Sequence, residues 1–206
     1  MDLKNFIEEL SSDSPTPGGG SASAVVGLLS ASLGQMVSRL TLGKKGYESV
    51  SLQIEEAIRN LETLKKQLED ASNRDIEAFN GIVKSRKMPR ETDEQREMRS
   101  LNMQNALREA VRSPWNIAAL CKQVMDIDYQ LIQIGNKNAC TDAGAGVIMA
   151  KASIESALLN VRINPHYIKE EKYISEQKIK LNLFAEDVEQ LYLNSMNKLE
   201  ILLNGE

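Results

Sequence analysis

The chain has 206 residues, a formal net charge of −4 and a pI near 5.3. That length supports one domain, residues 1–206, with a full core, and the acidic balance argues against a global nucleic-acid footprint. With a single histidine, His166, and with Cys121 and Cys140 in no CxxC spacing, a His/Cys zinc site and a Ser-His-Asp triad lack their residues; the cysteines read as reduced thiols of a cytoplasmic protein.

In chain order, Leu3, Phe6, Ile7 and Leu10 suit a short amphipathic helix. Pro15-Thr16-Pro17-Gly18-Gly19-Gly20-Ser21 follows as a stiff approach to a bare glycine loop. A second helix is expected over residues 21–40, with Val25, Leu28, Leu29, Leu33, Met36, Val37 and Leu40 as its larger apolar residues and Ala24, Gly27, Ala31 and Gly34 allowing close helix approach. The run from Ser14 to Ser38 is uncharged. It is rich in serine and glycine and is preceded by Asp2, Glu8, Glu9 and Asp13, so it reads as a buried helix and not as a membrane span or signal segment. Gly43-Lys44-Lys45-Gly46 ends it.

A third helix carries one seam, Ile54, Ala57, Leu61, Leu64, Leu68, Ala71, Asp75, Ala78 and Ile82, and stops near Met88-Pro89. A more polar helix is expected over residues 92–111, and a separate one starting near Pro114 with Ile117, Leu120, Val124, Ile127, Leu131 and Ile134. Gly135-Asn136-Lys137-Asn138 interrupts, and Thr141 is expected to cap a small-residue helix over 143–161. A last helix carries Ile174, Leu181, Phe184, Val188, Leu191 and Leu199. No strand-like alternation persists. The fold expected is all-α, an up-and-down bundle of long helices.

Asp75 is the sharpest chemical residue, because a carboxylate inside an apolar seam must be paired, hydrogen-bonded or protonated. Either it forms a structural ion pair with an arginine such as Arg39 or Arg162, or it serves as a general base or counter-charge to a cation. Gly18, Gly19, Gly20 and Ser21 can cradle a ligand on backbone N–H groups at a helix start, or simply admit the chain to the helix; no Gly-Lys-Ser/Thr follows, so this is not a Walker A loop. Asn138, Thr141 and Asp142 fit turn and cap chemistry, and Asn160 and Asn164 fit a helix end. Lys44, Lys45, Arg86 and Lys87 are surface charges that could attract a polyanionic tail.

These segments together resemble the cyclodeaminase/cyclohydrolase family of folate one-carbon enzymes. The resemblance lies in Pro15-Thr16-Pro17-Gly18-Gly19-Gly20-Ser21, Leu40-Thr41-Leu42-Gly43-Lys44-Lys45-Gly46-Tyr47, Asp75-Ile76-Glu77-Ala78-Phe79, Gly135-Asn136-Lys137-Asn138-Ala139 with Thr141-Asp142-Ala143-Gly144, and Asn160-Val161-Arg162-Ile163-Asn164. Two departures touch no expected catalytic group: Ile76 replaces a common Ala, and Pro165 a frequent Leu. The resemblance implies an all-α homodimer whose folate cleft is lined by the glycine loop, with Asp75 as its catalytic carboxylate. It implies Asn138, Asp142 and Asn164 as substrate-orienting groups, and it makes Lys44 and Lys45 candidates for the glutamate tail of a polyglutamylated folate. No metal and no cofactor beyond the tetrahydrofolate substrate is implied. The reaction expected is hydrolysis of 5,10-methenyltetrahydrofolate, favoured because no formiminotransferase is fused to the chain. Formimidoyltetrahydrofolate cyclodeamination is the alternative. A non-catalytic helical scaffold and an anion-binding enzyme using the glycine loop alone are the readings of other classes.

Overall fold

A computed structural model describes residues 2–205, the side chain of His166 excepted. Six α-helices appear in order: α1 (Leu3–Leu10), α2 (Gly19–Thr41), α3 (Ser51–Arg86), α4 (Asp93–Ile134), α5 (Cys140–Ile163) and α6 (Glu171–Leu203), with 3-10 turns at Glu48–Val50, Lys137–Ala139 and Asn164–Tyr167. Among the described residues there is no strand. The all-α up-and-down expectation holds. Helices α2 to α5 form a square in which α3 and α5 each pack against both α2 and α4, and α6 lies along α4 and α5.

The α2–α4 diagonal also makes contact, and the cause is the small residues of α2. A Cβ on Gly27 would stand 2.5 Å from Cys121 Sγ, and one on Gly34 would overlap Asp128 Oδ1. Gly34 is thus replaceable only if α4 moves away. By length and composition α2 could cross a bilayer, yet most of that stretch is buried against its neighbours. The α3 seam is buried from Ile54 to Ala71 as expected, and it opens at Asp75 and Ala78, which are half-buried.

Two expectations are corrected. The residues read as two helices on either side of Pro114 form one helix, α4, which begins with a Thr92–Gln95 capping box. Proline removes one N–H and crowds the carbonyl four residues earlier, which usually ends a helix. Here that carbonyl, on Ala110, accepts from Asn164 Nδ2, so α4 continues. Thr141 is not a cap: the 3-10 turn Lys137–Ala139 runs directly into α5, whose N-cap is Ala139 without a side-chain bond.

Asp128, which the sequence pattern does not single out, is fully buried on α4. Ser30 Oγ lies 3.2 Å from its Oδ2 and 2.8 Å from the Gly146 carbonyl, while Oδ1 has no partner. Ser30 has one proton to share between the Asp128 carboxyl and the Gly146 carbonyl, so a charge on Asp128 would be poorly compensated. Burial pushes its pKa well above the usual carboxylate range. Folding then takes up a proton, so this group's stabilisation is complete below about pH 4 and declines as pH rises toward the folded value. Asp128→Asn should therefore melt higher than wild type at pH 8, by about 2–4 °C for each kcal/mol relieved, with the difference vanishing near pH 4. A constant difference across pH in thermal melts would show that Asp128 is charged in the fold.

Candidate active site

Helix α2 starts with Gly18 as an extended N-cap, and its first intrahelical bond runs from Ala22 N–H to the Gly18 carbonyl at 2.9 Å. The N–H groups of Gly19, Gly20 and Ser21 precede that ladder and are the donors of the helix start. Asp75 comes from α3 and occupies the space a Gly20 side chain would need: a Cβ there would overlap its carboxylate. The Ser21 backbone N–H and hydroxyl both face Asp75, and the hydroxyl also reaches the Ser72 carbonyl at 3.2 Å. From α4, Ser113 Oγ donates to Asp75 Oδ1 at 3.2 Å. On the fourth side, the Asn160 amide of α5 would stand 3.7 Å from a Cβ on Gly19.

Asp75 is therefore a half-buried carboxylate at a helix N-terminus with two hydroxyl neighbours. Among the described residues it has no ion pair, so Arg39 and Arg162 do not hold it. Burial raises its pKa above the ordinary range, and the bonds from Ser113 and Ser21 pull it partly back. Such a group takes a proton more readily than an ordinary aspartate and can also return one. Two grooves open at this end of the bundle. One, about 680 Å³, runs between α3 and α4 past Arg74, Ala78 and Glu109. The other, about 530 Å³, lies between α5 and α6, with Arg162 and Lys178 above an apolar floor of Val161, Ile174 and Leu181.

The sequence-predicted residues separate into two groups. Gly18, Gly19, Gly20, Ser21 and Asp75 gather here, and Asn164 is one turn beyond Asn160 at the same end. Lys44, Lys45, Asn138 and Asp142 lie at the opposite end of α2, whose 23 residues span about 34 Å. There Lys44 Nζ donates to Asn136 Oδ1 at 2.8 Å, and Asn136 also donates to the Leu40 carbonyl at 3.1 Å, tying the α2 exit to the α5 entry. Asn138 and Lys45 are exposed and Asp142 is half-buried. Within one chain, the two groups do not share a cleft. Sequence reasoning missed Ser113; its only signal was a hydroxyl placed immediately before a mid-helix proline. Among the described residues no group of three His, Cys, Asp or Glu side chains has metal-binding geometry.

A family model described as formiminotransferase-cyclodeaminase matches residues 2–182. The chain is 34% identical over 175 residues to a methenyltetrahydrofolate cyclohydrolase of Methylorubrum extorquens, covering 85% of this chain and 84% of that one. It is 30% identical over 188 residues to the formimidoyltransferase-cyclodeaminase of Gallus gallus, covering 91% of this chain but 35% of the relative, so it spans about a third of that protein. The crystal structure of a formiminotetrahydrofolate cyclodeaminase from Thermotoga maritima superposes with a TM-score of 0.88 at 28% identity, over 98% of each chain.

The contact between Gly20 and Asp75 can be tested by stability alone. Gly20→Ala should be less stable than Gly19→Ala by about 1–3 kcal/mol, the usual cost of forcing an extra methyl into packed space, because Gly19 has room for a Cβ. Equal melting temperatures for the two variants would place the Asp75 carboxylate elsewhere.

Proposed function

The chain belongs to the formiminotransferase-cyclodeaminase family of folate one-carbon enzymes, and from that premise we propose that it hydrolyses 5,10-methenyltetrahydrofolate to 10-formyltetrahydrofolate with Asp75 as general base. The observation that carries this reading is the unpaired, half-buried Asp75 carboxylate at the α2 N-terminus with its raised pKa. The methenyl carbon, bonded to N5 and N10, shares the positive charge and is electrophilic without further activation. Water adds to it while Asp75 takes one proton. The C–N5 bond then breaks with its electron pair going to N5, which gains a proton as the hydroxyl loses one to give the formyl group. Backbone N–H groups of Gly19 and Gly20 would hold the heterocycle in place. The reading needs no cofactor beyond the tetrahydrofolate substrate, places the enzyme in the cytoplasm, and sets aside both the scaffold and the simple anion-binding alternatives.

Cyclodeamination is the second reading, favoured by the likeness to the Thermotoga maritima cyclodeaminase over 98% of each chain. The same Asp75, protonated, would then supply the proton that leaving ammonia requires. The match to the Methylorubrum extorquens cyclohydrolase over most of both chains supports the first reading.

The separation of the site residues along α2 supports a homodimer as the working unit. Outward on α2, Ala22, Val26, Leu29, Leu33, Met36 and Leu40 form one uncharged stripe, half-buried or exposed, and Ile148, Leu159 and Ile163 of the neighbouring α5 are exposed as well. A second copy of this chain is the occupant that fits this face. If the two α2 helices pair antiparallel, the partner subunit's Lys44, the partner subunit's Asn138 and the partner subunit's Asp142 arrive at the end of α2 that starts with Gly19. Each cleft is then completed by both chains, and the partner subunit's Lys44 and the partner subunit's Lys45 become available to a glutamate tail.

Two measurements test these readings. In an absorbance assay of methenyltetrahydrofolate loss, run also as its appearance from formimidoyltetrahydrofolate, Asp75→Asn should lose about 10²–10⁴-fold in turnover while its melting temperature stays near wild type. The wild-type acid limb should lie above the ordinary aspartate value of about 3.9, since turnover by the base requires the ionised form. Near-normal turnover of Asp75→Asn would remove the assignment. For the dimer, Asp75→Asn and Asp142→Asn subunits, each inactive alone, should recover part of the activity when mixed and allowed to exchange; light scattering should give twice the chain mass, and a fully active monomer would overturn the shared cleft.

A further inference from the structure

The resemblance makes Asn164 a substrate-orienting group, but one N–H of its amide is already used. Asn164 Nδ2 donates to the Ala110 carbonyl of α4 at 2.5 Å, a distance that leaves no room for a bridging ligand. Ala110 stands four residues before Pro114, so its carbonyl is the one that proline deprives of a helical donor. Pro114 is buried within α4, where water cannot supply the missing bond. The residue preceding Pro114 is Ser113, the α4 hydroxyl bonded to Asp75.

The rest of the segment behaves in the same way. Gln104 of α4 donates to the Tyr167 carbonyl at 3.3 Å and accepts from Lys169 N–H at 3.0 Å, and Arg108 pairs with Glu170 at 2.7 Å. Residues 164–170 therefore run as a splint along the α4 turns that lead into Pro114. Pro165 sits second in the Asn164–Tyr167 turn and stiffens the arm that presents Asn164.

We propose that Asn164 is a positioning residue: by bonding the carbonyl that Pro114 frees, it holds α4 in the path that places Ser113 on Asp75, and it does not orient the substrate. This rests on the reading of Asp75 as the base. Such a clamp explains why a helix start on one element and a proline in the middle of another can meet at a single carboxylate. Ser21 on α2 and Ser113 on α4 bond Asp75, the Asn160 amide of α5 lies beside Gly19 on the fourth side, and no charged side chain contributes to the Asp75 titration. A change in its proton affinity on loosening α4 would thus report the Ser113 bond.

The test is a cycle of Asn164→Ala, Pro114→Ala and the double variant, with Ser113→Ala alongside, reading melting temperature, kcat, KM and the acid limb of the pH–rate profile. Asn164→Ala and Ser113→Ala should both move the acid limb up by about one pH unit, a tenfold change in proton affinity, with kcat reduced and KM within about twofold of wild type. In the Pro114→Ala background the new N–H can serve the Ala110 carbonyl, so Asn164→Ala should then lower neither the melting temperature nor the turnover further. If Asn164→Ala alone is too unstable to purify, recovery of folded protein in the double variant is the same result. A KM raised tenfold or more with an unmoved acid limb, or a loss that Pro114→Ala does not relieve, overturns the proposal. The melting-temperature cycle involves no substrate, so an active Asp75→Asn enzyme would end the base assignment without deciding the clamp.

Discussion

Everything in this molecule depends on how closely the side chains of α3 and α4 can approach the backbone of α2 at three glycines. Gly20, Gly27 and Gly34 are seven residues apart, so they lie on one line along the helix. Against them stand Asp75, then Cys121 and Leu68, then Asp128 and Leu61. The same interval recurs on every partner: Leu61, Leu68 and Asp75 on α3, Pro114, Cys121 and Asp128 on α4, and Gly146, Ser153 and Asn160 on α5. The core is thus three stacked layers, each with a glycine of α2 at its centre. The inner two are tied by Ser30 to the Gly146 carbonyl at 2.8 Å, and by Ser153 to the Ser23 carbonyl at 2.6 Å and to Cys121 at 3.0 Å. The third layer is the candidate site. It differs from the others in that the α3 leucine has become Asp75 and the α4 position is interrupted by proline.

Much of this was legible in the sequence because it rests on local periodicity. The α3 seam runs unbroken through Leu61, Leu64 and Leu68, so a carboxylate at Asp75 is conspicuous. The small residues of α2 announce close packing, although they do not say which side chain will fill each gap. The all-α class follows from the same spacings. The grouping of motif residues is different: order along the chain says nothing of which ends of long antiparallel helices meet. The length of α2 was nonetheless available from its residue count, and at 1.5 Å per residue it already separates Lys44 from Gly20 by about ten times a hydrogen-bond length.

What escaped the sequence depends on distant partners. Pro114 reads as a boundary because the rule considers only its own helix, while the donor that lets α4 continue is Asn164, fifty positions later in the chain. Thr141 reads as a cap because the local pattern fits, but Asn136 and the turn after it already satisfy the entry to α5: Asn136 Oδ1 accepts from the Asn138 N–H at 3.1 Å, and the Asn136 N–H donates to Thr41 Oγ1 at 2.8 Å. Asp128 was hidden for the opposite reason. It sits beside the stripe of Val124, Ile127 and Leu131, and an acid next to an apolar stripe normally faces water.

The two carboxyl groups on the glycine line show how one packing device yields two kinds of residue. Asp128 is enclosed on every side and has one hydroxyl neighbour, and burial pushes its pKa well up, which makes it a structural group. Asp75 makes the same close approach one helix away, but at the open end of the bundle, with donors from Ser113 and the Ser21 backbone and hydroxyl. Solvent access and a larger number of donors keep its charged form within reach, while partial burial keeps its proton affinity high. A base needs both conditions together, and the terminal layer supplies them where the inner layers cannot. Lining up glycines through the core brings carboxyls against α2 in two of the three layers, and the chemistry then goes to the one that water can reach.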